Sequence, residues 1–143
     1  MLKFFKKKKQ KEFTINCATD YLKINEYLLD FPCKDSDLLA VFGEPTRKIS
    51  SSNEYLIWDE YGFLCSVNDN NQIVSLRVYQ GTNNPSEYVP QKSFSGKLFL
   101  EEDDITFNEF SKIGLGKIAI HRLGSENETR FGFSIGVNND YKV

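Results

Sequence analysis

The fold is decided by residues 35–79, which read DSDLLAVFGEPTRKISSSNEYLIWDEYGFLCSVNDNNQIVSLRVY. Apolar side chains recur at helical spacing in the first eight residues of this stretch, and Asp35 or Ser36 can cap the helix that they predict. Gly43, followed two residues later by a proline, ends this helix. The stretch therefore begins with a short helix and a glycine stop.

Three strands follow the helix and form a meander. They are residues 55–58, 63–67 and 73–79, with a turn at Gly62 and a second turn at residues 68–71. In the last strand apolar and polar side chains alternate, which predicts one buried face and one mixed face. We therefore expect a sheet that covers a hydrophobic core from one side.

The second half of the chain predicts a similar order of elements. It begins with a strand at residues 97–100, and a capping box at residues 106–109 then predicts a second short helix. Gly114 ends this helix, and strands follow at residues 117–122 and 129–135. Both halves thus have the order strand, short helix and antiparallel strands, so an internal repeat is an alternative description.

Together these patterns predict an α+β fold for residues 13–143: a single, antiparallel, β-rich domain with two short helices packed on a sheet. Residues 21–30 add a hairpin of two short strands before the first helix. The composition agrees, because 12 Phe and 7 Tyr against 1 Met supply the rigid side chains that suit a pleated surface. Residues 1–12 are expected to be a disordered basic tail.

Charge is distributed unevenly along the chain. The first 12 residues hold one acid and six lysines, which are Lys3, Lys6, Lys7, Lys8, Lys9 and Lys11. The remainder carries 12 basic and 19 acidic side chains, a net charge of −7. An acidic body repels phosphate backbones and attracts basic proteins, so a basic protein partner is expected and a nucleic acid is not. The lysine-rich tail suits an anionic bilayer, which makes a membrane surface the alternative partner.

The three cysteines, Cys17, Cys33 and Cys65, have neither the number nor the spacing of a secreted disulfide framework. No apolar stretch reaches the length of a signal-peptide core or of a membrane span. We expect a cytoplasmic protein.

No residue set predicts a reaction. His121 is the only histidine, and a thiolate–imidazole pair with one of the cysteines has no flanking signature to support it. Cysteine and histidine are too scattered for a metal site, so neither a metal nor another cofactor is expected. An enzyme whose site involves His121 remains an alternative hypothesis to a binding protein.

Acidic residues are the best candidates for a partner-binding site. They are Glu101, Glu102, Asp103 and Asp104, between a strand and the second predicted helix, with Asp59 and Glu60 at another strand end. Acids at a helix N-terminus also stabilise the helix dipole, and acids in turns are commonly solvated, so structural roles are the alternative.

Several short motifs carry a resemblance over about residues 21–79. They are Phe31-Pro-Cys33, Leu38-Leu39, Phe42-Gly-Glu-Pro45, Tyr55-Leu-Ile-Trp-Asp59, Tyr61-Gly62 and Ile73-Val-Ser-Leu76. The chain resembles a family of small uncharacterised bacterial domains associated with toxin-immunity loci. Its helix, glycine stop and strands are also similar to repeats of the β-lactamase inhibitory protein and of the outer-membrane assembly lipoprotein. We expect neither the signal peptide nor the lipid-attachment cysteine of that lipoprotein in this protein.

The resemblance implies a cytoplasmic immunity protein without catalytic residues, which binds a bacterial toxin domain and blocks it by occlusion. In this interpretation the acidic residues contact a basic surface of the toxin, for example that of a nuclease. The alternative is a peripheral membrane adaptor that uses the basic tail.

Overall fold

The computed structural model of the chain describes residues 13–19, 21–30, 32–51, 53–82, 89–108, 112–123 and 130–138. In chain order the elements are β1 (Thr14–Cys17), β2 (Leu22–Ile24), β3 (Tyr27–Leu29), β4 (Cys33–Lys34), α1 (Asp35–Phe42), β5 (Arg47–Ser50), β6 (Glu54–Trp58), β7 (Phe63–Val67), β8 (Gln72–Thr82), β9 (Lys97–Leu100), β10 (Asp103–Asp104), β11 (Lys112–Leu115), β12 (Ile118–Leu123) and β13 (Arg130–Val137). The predicted basic tail, residues 1–12, lies outside the described residues.

The strands form two sheets. The small sheet has the order β10-β9-β1-β2-β3, in which β1 and β9 are parallel and the other neighbours are antiparallel. The large sheet has the order β11-β12-β13-β8-β7-β6-β5 and is antiparallel, with the short β4 also paired to β8. The fold is therefore mostly β, which agrees with the predicted sheet-rich domain only in part, because the sequence predicted one sheet and two helices.

Both sheets and α1 contribute to one hydrophobic core. Ile15 of β1 and Trp58 of β6 point into it, and Phe42 of α1 packs between the sheets. The ring centroid of Phe42 lies 4.9 Å from that of Phe13 and 4.2 Å from that of Phe63. On the other face of the large sheet, Ile57, Leu64, Tyr79 and Val89 form a second, smaller buried cluster.

The first helix and its glycine stop are confirmed. Gly43 has φ +79°, and its amide donates to the carbonyl oxygen of Leu39 at 2.8 Å. The capping position is Lys34, one residue before the predicted cap, and its amide donates to the carboxylate of Asp37 at 3.3 Å. An acid at the third helical position thus satisfies a backbone donor at the helix start.

The meander and the first hairpin are also confirmed, as β6, β7 and β8 and as β2 and β3. Asn25 closes that hairpin at φ +53°, a region that asparagine tolerates. Trp58 is 1% exposed, and its indole donates to the carbonyl oxygen of Gly43 at 3.2 Å. The side chain therefore belongs to the core.

The second predicted helix is wrong. The hydroxyl of Thr106, expected to cap it, instead accepts from the amide of Leu98 at 3.0 Å and donates to Asp104 at 2.5 Å. Residues 112–115, expected at the end of the helix, pair with β12 as the edge strand β11. Residues 109–111 lie outside the description, and the described second half has no helix to match α1. Cross-strand pairing has overridden the local capping signal.

Within the described residues, no helix has both the length and the apolar character needed to cross a membrane.

Candidate partner-binding face

One face of the small sheet points away from the core, and we call it the outer face. Strand pairing aligns Leu28, Lys23, Asn16, Phe99 and Asp104 across all five strands of this sheet on that face. Residues paired across strands lie on the same side of a sheet, so this row crosses the whole surface. Because their neighbours in sequence, such as Ile15, are buried, the sheet is covered on one side and open on the other.

Large apolar side chains are exposed on and beside this face. Leu28, on this face, is 66% exposed, and Tyr21, two residues before Lys23, is 38% exposed. Tyr27 is 52% exposed but pairs with the buried Ile24, so it lies at the sheet edge on the other side. Single exposed apolar residues are ordinary, but a group of them on one element marks a surface suited to contact with another molecule.

Two neighbouring grooves lie on the outer face. The first, which we call the tyrosine groove, has a volume of about 330 Å³ and is lined by Asn16, Ala18, Thr19, Tyr21, Glu101 and Glu102. The second, the lysine groove, has a volume of about 270 Å³ and is lined by Thr14, Asn16, Lys23, Asn25, Glu26, Phe99 and Glu102. Asn16 and Glu102 line both grooves and therefore separate them.

A tight turn between β9 and β10 carries the predicted acidic cluster, and we call it the acidic hairpin (Glu101–Asp104). All four of its acids are exposed. Glu101 has φ +46° and Glu102 has φ +76°, a backbone region in which turns normally use asparagine and glycine. Two glutamates there cost stability, and such outliers concentrate at functional sites.

The acidic hairpin is tied to β1 and to the loop after it. The amide of Glu101 donates to the carbonyl oxygen of Cys17 at 2.9 Å, and the amide of Glu102 donates to the side-chain oxygen of Asn16 at 3.2 Å. The hydroxyl of Thr19 donates to the carboxylate of Glu101 at 3.2 Å. These bonds fix the turn beside the grooves, with the carboxylates at its surface.

The charge of Asp104 is maintained by its neighbour. Hydrogen bonds from the side chain and the backbone of Thr106 lower the pKa of Asp104, with a smaller contribution from the charge of Lys97. The carboxylate is therefore ionised throughout the neutral range.

Asp59 and Glu60, predicted to join the same surface, lie elsewhere. Asp59 is 2% exposed and forms a bidentate pair with Arg47, at 2.8 Å to Nε and 3.0 Å to Nη2. It also accepts from the amide of Gln91 at 2.9 Å. Glu60 is exposed and pairs with Lys92 at 2.8 Å. Asp59 therefore has a structural role in holding residues 89–92 against the large sheet.

The residues considered for catalysis do not come together. His121 is exposed on the large sheet, in register with Ser134 of β13, whereas all three cysteines are buried and unbonded to one another. Burial raises the pKa of Cys17 to about 12, and burial with the nearby charges of Asp37 and Asp35 raises that of Cys33 to about 12. The thiols are thus protonated at neutral pH. In the described part of the chain, no three His, Cys, Asp or Glu side chains are placed to hold a metal ion.

Two features of this face, the grooves and the exposed apolar side chains, are not predictable from local sequence patterns. The grooves arise because β1 lies between β2 and β9, and β9 is about 80 residues away in sequence. The sequence pattern predicts that Tyr21 and Leu28 belong to strands, but it does not predict that their side chains are exposed. The pattern that indicates an open face is the alternation of Tyr21 and Lys23 with buried residues.

The chain belongs to the family described as DUF7738, Domain of unknown function, whose model matches residues 14–115. This match runs from the first residue of β1 to the last residue of β11, so it includes the five strands of the small sheet. No curated protein matches the chain significantly, and no solved structure does.

Proposed function

We propose that this DUF7738 domain is an immunity protein that neutralises a bacterial toxin domain by binding it and covering its active surface. The outer face of the small sheet is the proposed binding surface. The observation that carries the proposal is the acidic hairpin, in which a strained turn holds exposed carboxylates beside two grooves. Toxin neutralisation as the purpose of binding comes from the sequence resemblance.

Electrostatics supports a basic partner. The chain after residue 12 has a net charge of −7, and the acidic hairpin concentrates four carboxylates at one edge of the small sheet. Among the described residues, the ion pairs lie elsewhere, between Arg47 and Asp59, Lys48 and Glu54, and Lys92 and Glu60. The hairpin carboxylates are therefore available to a basic surface, which they would attract over a distance of about 10 Å at moderate salt.

The exposed apolar residues of this face can supply the anchors that a stable protein interface needs in addition to charge. Stable interfaces usually combine aromatic or aliphatic anchors with a polar rim. Tyr21 and Leu28 are suited to be anchors on the outer face, and Glu101, Glu102 and Glu26 line the two grooves there. This arrangement favours a protein partner over a small molecule, because both grooves are shallow parts of a broad surface.

The proposed contact set differs from the one expected from sequence. Glu101, Glu102, Asp103 and Asp104 remain in it, and Glu60 is a peripheral candidate. Asp59 leaves it, because a carboxylate that is 2% exposed and bound to Arg47 cannot reach a partner without breaking that pair.

The test is capture of the partner from native cells with the tagged full-length protein. We expect wild-type protein to retain one basic protein in stoichiometric amount at low salt and less of it at higher salt. The E101Q/E102Q variant should retain at least about tenfold less, which corresponds to a loss of about 1.4 kcal/mol.

The matched control is E44Q/D69N, which changes the net charge equally at two exposed acids that line neither groove. Equal capture by both variants would remove the acidic hairpin from the interface. Capture of no basic protein by the wild type would reject the proposal and favour the alternative function.

That alternative is a peripheral membrane adaptor that uses the lysines of residues 3–11. Each lysine near an anionic surface contributes about 1 kcal/mol, so several together can hold a protein to a bilayer. Flotation with vesicles containing anionic lipid tests it. Binding that is lost on deletion of residues 1–11 would support the adaptor, and binding that is unchanged by this deletion would reject it.

A further inference from the structure

The tyrosine groove differs from the lysine groove in the chemistry of its walls. Tyr21 contributes an aromatic side chain to its lining, and the backbone of Tyr21 is held by a bond from the amide of Ala18 to its carbonyl oxygen at 3.0 Å. The turn of the acidic hairpin adds Glu101 and Glu102 to the same lining. A groove lined by both an aromatic ring and two carboxylates attracts an organic cation.

The chain itself supplies no cation to the lining of this groove. Its lining residues include no lysine or arginine, and both glutamates are exposed. Thr19 donates to one carboxylate oxygen of Glu101 and so orients that side chain, while its other oxygen keeps its acceptor capacity. The lysine groove, in contrast, already contains Lys23 beside Glu26 and Glu102.

We propose that the tyrosine groove is the subsite for one arginine side chain of the protein partner. This inference rests on the proposed function, since it names a contact made by that partner. A planar guanidinium can stack on the Tyr21 ring while its edge donates to the carboxylates of Glu101 and Glu102. The volume of about 330 Å³ accommodates the guanidinium and much of its aliphatic stem.

Arginine fits better than lysine for a geometric reason. An ammonium group is a compact, strongly hydrated charge, whereas a guanidinium is weakly hydrated, flat and able to bind a carboxylate through two parallel bonds. The tyrosine groove, with an aromatic side chain and two carboxylates in its lining, can use the flat shape and the paired donors of arginine.

The subsite can be tested without the partner. The probe is N-acetyl-arginine amide, and the matched control is N-acetyl-citrulline amide, which has nearly the same shape without the charge. Titration of the isotope-labelled full chain, followed by amide chemical shifts, should show saturable millimolar binding of the arginine probe. The shifts should concentrate at Thr19, Tyr21, Glu101 and Glu102, and the citrulline probe should bind at least about fivefold more weakly, as expected for loss of one charge-assisted bond.

Two variants locate the effect. E102Q should weaken the arginine probe by about fivefold to tenfold, whereas E44Q, at an exposed acid outside both grooves, should leave its affinity unchanged. Equal binding of the citrulline or a lysine probe, or saturable shifts confined to other surfaces, would overturn the arginine assignment.

The outcomes also separate this inference from the proposed function. If the arginine probe binds at the groove but E101Q/E102Q still captures and neutralises the toxin, the subsite stands and the proposed interface fails. If the probe does not bind but neutralisation needs Glu101 and Glu102, the interface stands and the arginine subsite fails.

Discussion

At the scale of single residues, Asp59 shows how burial changes the meaning of an acid. In the sequence Asp59 and Glu60 are adjacent and chemically alike, yet one is 2% exposed and the other lies at the surface. The difference arises from Arg47, which reaches Asp59 from the neighbouring strand β5. Sequence reasoning could not separate the two acids because the partner is set by strand register, which a local pattern does not give.

Breaking this pair should destabilise the protein. We predict that Asp59→Asn lowers the free energy of unfolding by about 2 kcal/mol, because it removes the charge from two charge-assisted hydrogen bonds with Arg47. Chemical denaturation measures the change. Glu54→Gln, in the exposed pair with Lys48, is the control and should cost less than about 1 kcal/mol. Equal losses in the two variants would contradict a structural role specific to Asp59.

Gly62 occupies a position where a larger side chain should destabilise the protein. It has φ +77°, and a Cβ atom there would lie 2.2 Å from the amide nitrogen of Phe94. Because backbone atoms cannot move aside cheaply, Gly62→Ala should destabilise the protein by more than about 2 kcal/mol. Gly43→Ala shares the positive φ but has open space around it, so it should cost only about 1 kcal/mol. Thermal unfolding of both variants measures the difference, because Gly62→Ala adds steric overlap to backbone strain and Gly43→Ala adds backbone strain alone.

Among the secondary-structure elements, the first half of the chain and the strands β9, β12 and β13 of the second half could be predicted, whereas the second helix could not. The helix, its glycine stop and the meander depend on contacts close in sequence, so local patterns suffice. The capping box at Thr106 was misleading because its hydroxyl is used by Leu98 and Asp104 of the β9–β10 pair. The sequence predicts an acidic cluster at the start of a helix, whereas the structure places these acids in a strained turn between two strands.

We expect the glutamates of the acidic hairpin to lower the free energy of unfolding and to strengthen partner binding. Replacing Glu101 and Glu102 by Asn and Gly supplies the residues that this turn prefers, and should raise the free energy of unfolding by about 1 kcal/mol while weakening partner capture. E101Q/E102Q keeps the strain and removes only the charge, so its stability should change by less than about 0.5 kcal/mol. Denaturation and capture of both variants measure the two effects separately. A hairpin that loses stability in the Asn-Gly variant would contradict the strained-turn account.

At the scale of the whole molecule, the core joins both sheets through buried cysteines as well as aromatic rings. Cys17 lies on the small sheet and Cys65 on the large one, and burial raises the pKa of both thiols. In the unfolded chain a thiol ionises near pH 8.5, roughly its ordinary pKa. The folded state therefore binds more protons than the unfolded state above that pH.

This difference predicts that stability falls in alkaline solution. Since the folded pKa is raised, the contribution of Cys17 is fully present below about pH 8.5 and is lost progressively as the pH rises toward the folded value of about 12. Urea unfolding between pH 7 and 11 measures the slope, to which each such thiol contributes about 1.4 kcal/mol per pH unit. Cys17→Ala should give a shallower slope than wild type. An unchanged slope would contradict protonated burial of this thiol.

Growth rescue tests whether the outer face of the small sheet neutralises a toxin. The captured basic partner is expressed in a sensitive bacterial host together with wild-type protein, E101Q/E102Q or the charge-matched control E44Q/D69N. We predict that the wild type and the control restore growth and that E101Q/E102Q, present at equal level, does not. A partner that is harmless alone, or full rescue by E101Q/E102Q, would contradict the claim.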